Sequence, residues 1–265
     1  MTYLHGTAPG EQRRLEAQHS LLGGASFLLP IDPRMRVLDV GCGTGAVARE
    51  LAPLLSRGHI VGLDREPEQI DYARRQAIEK GLTDIEFRTG EAEVLPFADG
   101  AFDLVFCRFL LEHVREPAAV LREMARVVRP NGTVVACECK VDCCATTSPP
   151  LPHARQALEA MYQLQTRHGG HPRIGEELGA LLCEVGLRDV VEDVLTSPMS
   201  APEELRQYAA GGASMLRTCE LELLAGGLLG REDLDLAYAE WARLPETPGA
   251  TANFRVCRAR GIRHA

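Results

Sequence analysis

The stretch that decides the fold is Val37-Leu38-Asp39-Val40-Gly41-Cys42-Gly43-Thr44-Gly45, and the next apolar segment ends at Asp64. An apolar strand leads into a turn with glycines at alternate positions, and a helical pattern follows over Ala46 to Leu55. Glycine permits a tight turn and close approach of a ligand to the backbone. The turn delivers that ligand to a helix N-terminus, where unpaired N–H groups favour negative charge. Because Asp64 can accept the hydroxyl protons of a ribose, the unit is predicted to bind a nucleoside-containing ligand.

The spacing of the glycines separates this turn from other nucleotide-binding loops. The pattern here is G-x-G-x-G, whereas the dinucleotide-binding fingerprint is G-x-G-x-x-G. A lone glycine pattern is weak evidence, so an oxidoreductase with a nucleoside cofactor stays an alternative on this turn alone. No G-K-[ST] follows, which excludes a phosphate-cradling P-loop.

Four segments follow one another in a fixed order, namely Leu38–Gly45, Gly90–Phe97, Phe102–Cys107 and Leu121–Gly132. In that order they resemble the first motif, the adenine-contacting turn, the fourth strand, and the helix and turn before the fifth strand of the class I S-adenosylmethionine-dependent methyltransferases. The last segment has Pro-Asn-Gly where that family usually has Pro-Gly. Four ordered motifs are far more specific than one, and they speak against the oxidoreductase.

The alternation of strand and helix patterns predicts an α/β fold with a parallel sheet and helices on both faces. The resemblance implies a doubly wound, seven-stranded, mostly parallel Rossmann-like sheet whose last strand is antiparallel, with a helical cap. We expect an N-terminal helical lid at 1–30, a cofactor-binding α/β core at 31–148, and the cap and closing strands at 149–265. The helices at 151–182 and 203–244 are expected to form the cap.

The N-terminus carries a second resemblance. Tyr3-Leu4-His5-Gly6, with Gln18 further on, is similar to the opening of a methyltransferase subfamily that acts on small molecules. In that subfamily the first helix folds over the cofactor. Apolar residues near helical spacing, including Leu15 and Leu22, predict one amphipathic helix over Glu11 to Leu29.

The resemblance implies which side chains hold S-adenosylmethionine and which act on the acceptor. The expected cofactor-binding residues are Tyr3, Gln18, Asp39, Gly41, Gly43, Gly45, Asp64, Arg65, Glu91, Ala92 and Cys107. Three further side chains, Glu138, His113 and His5, are candidate general bases for a proton on the acceptor. The subfamily usually has Glu-Gly-Asp after the fifth strand, whereas this chain has Glu138-Cys139-Lys140.

Four cysteines, Cys137, Cys139, Cys143 and Cys144, cluster near the end of the fifth predicted strand. Thiolate metal sites usually show C-x-x-C spacing, which this cluster lacks. Small apolar side chains on a strand are the preferred interpretation, and no metal site is predicted.

The amino-acid composition limits the classes of partner that the protein is expected to bind. The 265 residues are 45% hydrophobic and carry a net charge of −8, so a full core is expected and a nucleic-acid partner is not. No apolar run reaches the roughly 20 residues that a membrane span requires, and no secretion signal is evident. We expect a cytoplasmic protein whose partner is a small-molecule methyl acceptor, with a second copy of the chain as a further candidate.

The predicted function is transfer of a methyl group from S-adenosylmethionine to an O, N or C nucleophile by in-line displacement. Apolar residues in the cap favour an apolar or aromatic acceptor. Two alternatives stay open: an oxidoreductase that binds a nucleoside cofactor, and a cofactor-binding protein without turnover.

Overall fold

The computed structural model describes residues 3–139 and 145–264. Within them, eight strands form one sheet in the order β3-β2-β1-β4-β5-β8-β6, and β7 pairs with β8. The strands are β1 (Arg36–Val40), β2 (His59–Asp64), β3 (Ile85–Thr89), β4 (Phe102–Arg108), β5 (Val128–Cys139), β6 (Ala145–Ser148), β7 (Arg188–Met199) and β8 (Thr251–Ile262). The helices are α1 (Pro9–Leu21), α2 (Ala46–Leu51), α3 (Pro67–Glu79), α4 (Pro117–Val127), α5 (Pro152–Arg167), α6 (Leu178–Glu184), α7 (Pro202–Ala225) and α8 (Arg231–Arg243).

The sheet confirms the predicted fold class. Strands β1 to β5 pair in parallel, and β8 pairs antiparallel with β5, β6 and β7. The short strand β6 was not expected. It pairs with β8 on the same side as β5 does, beyond the end of β5. Among the described residues, the sheet therefore has eight strands. The strand order reverses between β1 and β4, and in open α/β sheets such a point opens a crevice at the carboxyl ends of the strands.

Both faces of the sheet are buried, which matches the near-continuous apolar runs of its central strands. On one face, Leu38 and Val105 pack with residues of α4 and α6. On the other face, Val37 and Phe106 pack with residues of α2 and α3. Helix α6 had been expected in the cap, but its fully buried Leu182 belongs to the core of the sheet.

The cap consists of α5, α7 and α8, which bury their own apolar cluster. Trp241 of α8 lies in this cluster and is only 2% exposed, and it is surrounded by residues such as Met161 of α5 and Leu216 of α7. Helix α1 packs against α7. Cap and N-terminal helix thus lie together at the carboxyl edge of the sheet.

The expectation of one helix over Glu11 to Leu29 is wrong. Helix α1 ends at Leu21, because Gly23 and Gly24 adopt positive φ angles of 78° and 61°. Its buried face is also polar: the buried residues are Glu11, Gln12, Arg14 and His19. A helix that lies over a cavity, and not over the sheet core, does not need an apolar stripe.

Gly45 illustrates how the first turn is coupled to the core. A Cβ on Gly45 would lie 2.5 Å from Cε1 of Phe87 and 2.9 Å from Cβ of Ala73. The residue also has a φ of 72°, as the residue preceding α2. Gly81, with a φ of 68°, has nothing within 4 Å of its Cβ position.

We therefore expect Gly45→Ala to destabilise the protein more than Gly81→Ala does. Both variants lose about 1–2 kcal/mol to the left-handed backbone, and overpacking costs Gly45→Ala about 1–3 kcal/mol in addition. Urea unfolding of the two variants measures the difference. Equal losses would show that the loop relaxes away from Phe87 without cost.

Candidate functional site

A cavity of about 500 Å³ lies where the strand order reverses, between the carboxyl ends of the strands, α1 and the cap. Most of the residues predicted from the sequence line it. Those residues are Tyr3, His5, Gln18, Asp39, Gly41, Gly43, Asp64, Arg65, Glu91, Ala92 and His113.

The glycine loop forms the floor of this cavity. The N–H groups of Gly41 and Cys42 both donate to the Leu63 carbonyl, at 2.7 and 3.0 Å. The φ angle is 71° at Gly41 and 51° at Gly43, where only glycine is free of strain. A Cβ on Gly43 would meet only a methyl group of Leu15 of α1, at 3.8 Å. The backbone of Gly43 is therefore open to the cavity beneath α1.

Gly45 does not line the cavity. Its backbone follows the same loop, but its missing side chain makes room for Phe87 and Ala73 on the core side. The third glycine of the pattern therefore serves the packing of α2 and α3 against the sheet.

Asp39 presents an unsatisfied carboxylate to the cavity. It is 3% exposed, and its Oδ2 has no hydrogen-bond partner among residues 3–139 and 145–264. Burial raises the pKa of Asp39 to about 8, with a further rise from Asp64 and an opposing effect of the Arg108 guanidinium. A buried oxygen without a partner is costly to the fold. The arrangement favours a cationic ligand group beside Oδ2.

Asp64 holds the glycine loop and still has acceptor capacity. Its Oδ2 accepts the N–H of Gly43 at 2.8 Å, and its Oδ1 accepts the N–H of Glu66 at 3.0 Å. Burial raises the pKa of Asp64, whereas these two N–H donors lower it. A carboxylate has about four lone-pair sites. Two of them therefore remain for hydroxyl groups such as those of a ribose.

The loop after β3 forms the rim of the cavity. Glu91 is exposed there, and Ala92 is buried. The N–H of Gly90 donates to the Asp64 carbonyl at 3.0 Å, which fixes this loop to the end of β2. Arg65 lines the same side and pairs with Glu66 at 3.0 Å.

The inner face of α1 is built from paired charges. Arg14 donates to both carboxylate oxygens of Glu11, at 2.6 and 2.7 Å, and to Oε1 of Gln18 at 2.6 Å. The Tyr3 hydroxyl donates to the same Glu11 carboxylate at 2.8 Å. Burial is the main cause that raises the pKa of the Tyr3 phenol, so Tyr3 stays protonated. These pairs satisfy the charged groups of α1 beside the cavity, which Leu15 and Leu21 of the same helix also line.

Two further contacts fasten α1 to the sheet domain. Glu16 accepts two hydrogen bonds from Arg49 of α2, at 2.6 and 2.8 Å. His19 contacts Glu50 at 2.7 Å through Nε2, and its Nδ1 lies 3.2 Å from the Arg108 guanidinium. Arg108, the last residue of β4, also lines the cavity, and its guanidinium lies 5.2 Å from the centroid of the Phe27 ring.

Aromatic and imidazole rings meet under the N-terminal segment. The centroid of the Tyr3 ring lies 5.5 Å from that of His5 and 5.0 Å from that of His113, both edge-to-face. Gln165 of α5 donates to Nδ1 of His113 at 3.1 Å and to the Glu112 carbonyl at 2.9 Å. Because a carbonyl only accepts, the Gln165 amide is oriented with its NH₂ group toward both. His113 therefore carries its proton on Nε2 when neutral.

Burial is the main cause that lowers the pKa of His113 to about 3, and His5 and Arg14 lower it further. The neutral ring with a protonated Nε2 is thus a hydrogen-bond donor, which does not fit the general base predicted for this position. Neighbouring Glu112, which the sequence reasoning did not single out, lines the cavity, and burial raises its pKa to about 7.

Two predicted site residues lie beneath the cavity and do not form its wall. Glu138 is fully buried, and its Oε1 accepts the N–H groups of Leu110 and Leu111 at 3.0 and 2.7 Å. Burial raises the pKa of Glu138 far above its usual range. Cys107 is fully buried in the sheet core. Glu138 therefore supports the loop after β4, and neither residue is placed to touch a ligand.

The predicted cysteine cluster is only partly covered by the described residues. Cys137 is buried in the sheet core, and the half-buried Cys139 lines the cavity. Cys143 and Cys144 lie outside the described residues. Over 3–139 and 145–264, no three His, Cys, Asp or Glu side chains come together as metal ligands. No helix in these ranges has the length and apolar character of a membrane span.

Comparison with known proteins agrees with this geometry. Residues 31–185 match the family described as "Methyltransferase domain". A ubiquinone biosynthesis O-methyltransferase of Paracidovorax citrulli is 40% identical over 114 residues, which make up 43% of this chain and 47% of the relative. A demethylmenaquinone methyltransferase of Listeria monocytogenes is 34% identical over 140 residues, 51% of this chain and 55% of the relative. The chain spans about half the length of these two curated relatives.

Among solved structures, the crystal structure of the YcgJ protein from Bacillus subtilis matches with a TM-score of 0.60. The match covers 93% of this chain and 99% of that chain, at 20% sequence identity. At 20% identity, this structural match is evidence for the fold alone, and it covers nearly the whole chain.

The pKa of Asp39 makes a prediction about stability. Between its ordinary pKa near 3.8 and about 8, the folded protein keeps a proton on Asp39 that the unfolded chain releases. Stability contributed by this group therefore falls as the pH rises through that window. The free energy of unfolding of Asp39→Asn, relative to the wild type, should rise with pH by at most about 1.4 kcal/mol per unit and level off above about 8.

Urea unfolding at several pH values measures that difference, in which the titration of other groups largely cancels. Asp32→Asn is the control, because the pKa of the exposed Asp32 is lowered by its hydrogen bonds from Arg34. Its difference from the wild type should not rise between pH 4 and 8. A flat difference for Asp39→Asn as well would mean that Asp39 stays ionised in the folded protein.

Proposed function

Since the chain belongs to the methyltransferase-domain family, we propose that it binds S-adenosylmethionine and transfers its methyl group to a small-molecule acceptor. The observation that carries the proposal is the buried, unpartnered Oδ2 of Asp39 beside a glycine loop in a 500 Å³ cavity. A cofactor that combines a cationic end with a ribose fits this combination of groups.

Each end of the cofactor has a candidate partner. Asp39 would hold the ammonium of the methionine end, where the fold otherwise leaves a carboxylate oxygen unsatisfied. Asp64 would accept the ribose hydroxyls with its two remaining lone pairs. Glu91 and Ala92 would flank the adenine at the rim, and Gln18 would face the methionine end from α1.

When bound, S-adenosylmethionine supplies an electrophilic methyl group on a sulfonium, which a nucleophile displaces in line. The protein's part is to orient the two reactants and exclude water, and orientation alone contributes up to about 7–11 kcal/mol. The glycine loop and Asp64 fix one side, and the cap helices close the other.

The cap wall favours an apolar or aromatic acceptor. Met161 and Tyr162 of α5, Met215 of α7 and Trp241 of α8 all line the cavity. Apolar side chains with a few polar groups are typical of small-molecule sites. The names of the two curated relatives, which contain ubiquinone and demethylmenaquinone, agree with an apolar, ring-bearing acceptor.

Residues 1–30 are proposed to act as a lid in which α1 moves, whereas Phe27 and Leu28 at the end of this range stay packed in the sheet core. Helix α1 covers the cavity, and it contacts the sheet domain through the Glu16–Arg49 ion pair, the His19–Glu50 hydrogen bond and apolar packing of Leu21. The buried residues of α1 are all polar, so this helix can open at less cost than an element that contributes apolar side chains to the sheet core. A closed lid would exclude water from the methyl group.

Removal of the Asp64 carboxylate tests the cofactor site. We expect Asp64→Ala to weaken binding of S-adenosylhomocysteine by about 1.5–3 kcal/mol, the range for hydrogen bonds to a charged group. Isothermal titration calorimetry measures the affinity. Asp64→Asn keeps the shape and one oxygen for the Gly43 N–H, so a loss in both variants excludes a collapsed loop as the cause.

Asp32→Ala removes an exposed carboxylate before β1 and should leave this affinity unchanged. NAD is the matched ligand for the oxidoreductase alternative, and it should produce no binding heat and no thermal stabilisation. Binding of NAD in preference to S-adenosylhomocysteine would overturn the proposed function. Tight binding without turnover of any acceptor would support the non-catalytic alternative.

Hydrogen exchange tests the lid. Amides of α1 should exchange readily in the free protein and become protected when S-adenosylhomocysteine is added, because the ligand contacts the inner face. Glu16→Gln removes the charge that pairs with Arg49 and should speed exchange in α1 without affecting β1. Equal protection of α1 with and without ligand would leave it as a packed helix with no gating role.

A further inference from the structure

The hydrogen bonds of His5 determine which of its ring nitrogens carries the proton. Its Nδ1 lies 2.7 Å from Oγ1 of Thr218 on α7, and the same Oγ1 lies 2.6 Å from the Met215 carbonyl oxygen. A carbonyl only accepts, so the single hydroxyl proton of Thr218 is donated to Met215. Oγ1 must therefore accept from His5, and the proton of the neutral ring lies on Nδ1.

The other nitrogen of His5 is left as an acceptor. Burial lowers the pKa of His5 to about 3, with Arg14 adding to the effect, so the ring is neutral near pH 7. Within the described chain, no residue hydrogen-bonds Nε2 and the atom is not fully enclosed. The ring lines the cavity. His5 thus offers an unprotonated Nε2 where the acceptor is expected.

His113 is held in the opposite tautomer. Its Nδ1 accepts from Gln165, so its proton lies on Nε2. The two ring centroids are 6.3 Å apart, and both rings line the same cavity. Of the three side chains proposed as bases, His5 alone therefore combines a cavity position with an available lone pair.

The cavity beside His5 has room for a flat apolar molecule. Met215, whose carbonyl anchors Thr218, also lines the cavity wall. On the preceding turn of α7, a Cβ at Gly211 would meet nothing within 4 Å, whereas one at Gly212 would lie 2.8 Å from Trp241. A mid-helix glycine costs about 1 kcal/mol relative to alanine. Gly211, which packs against nothing, thus leaves space in the cavity wall.

Building on the proposed function, we propose that the acceptor carries a hydroxyl group on an apolar or aromatic frame, and that Nε2 of His5 takes the proton of this hydroxyl. Thr218 is the positioning residue, because it holds His5 in the tautomer that leaves Nε2 unprotonated. The acceptor O–H bond breaks and its proton goes to Nε2, while the oxygen forms a bond to the methyl carbon. The electrons of the methyl–sulfur bond stay on the departing thioether. Burial and Arg14 disfavour an imidazolium at His5, so Nε2 takes the proton only as the positive charge of the sulfonium is lost, and the net charge of the cavity is unchanged.

Nitrogen-15 NMR of the full chain with saturating S-adenosylhomocysteine tests the proposal, with phenol and toluene as probes of matched shape. We expect the His5 signals of the Nδ1–H tautomer, and a shift of the Nε2 resonance with phenol that toluene does not produce. A proton on Nε2, or the same response to both probes, would overturn the proposal. Failure to bind S-adenosylhomocysteine would instead contradict the proposed function.

Thr218 is exposed, so its substitution can test the tautomer without disturbing the core. Thr218→Val keeps the shape but removes the hydroxyl, and it should move part of the proton population to Nε2. Phenol affinity should fall by about 2- to 12-fold, the value of one hydrogen bond, while toluene affinity stays constant. Thr218→Ser keeps the hydroxyl and should retain both the tautomer and the affinity. A Val variant with unaltered His5 signals would exclude Thr218 as the positioning residue.

Discussion

The hydrogen bond from the Gly43 N–H to the Asp64 carboxylate joins the two strand ends on which the site depends. It fixes the glycine loop after β1 to the end of β2, and the Gly90 N–H then fixes the loop after β3 to the Asp64 carbonyl. Three loops are thereby held in one arrangement by a single residue. Because these strands are parallel, their carboxyl ends already lie along one edge, and the hydrogen bonds convert that edge into a defined floor.

A floor of backbone and carboxylates determines what can cover it. An apolar helix over this surface would leave buried polar groups without partners, at a cost for each of them. Helix α1 instead presents Glu11, Arg14 and Gln18, which satisfy one another through hydrogen bonds of 2.6–2.7 Å. The polar groups of α1 are therefore paired before any ligand enters, and they lie beside Leu15 and Leu21, which also line the cavity. Among the described residues, no side chain of α1 hydrogen-bonds Oδ2 of Asp39, so this oxygen stays available to a ligand.

The sequence predicted the centre of the sheet well because β1, β2 and β4 are buried along most of their length and are apolar runs between turns and helices. Most residues of the floor followed from the motif for the same reason: Asp39 lies in β1, Gly43 follows β1, and Asp64 ends β2. Gly45 was misjudged because its neighbour Phe87 is distant in sequence. The tautomer of His5 depends on Thr218, on a different helix, and no local pattern encodes that contact.

The buried charges make ligand binding and fold stability oppose each other at one residue. Desolvation raises the pKa of Asp39, and Arg108 offsets this only in part, since it donates to the Gly24 carbonyl and contacts His19. A cation placed beside Oδ2 favours the charged carboxylate and lowers its pKa, so the proton leaves as the ligand enters. The group that weakens the folded protein as the pH rises thus contributes affinity for a cationic cofactor. An asparagine at this position would remove the loss of stability at high pH, but it would also remove the affinity for a cationic cofactor. Stability alone therefore does not account for the aspartate.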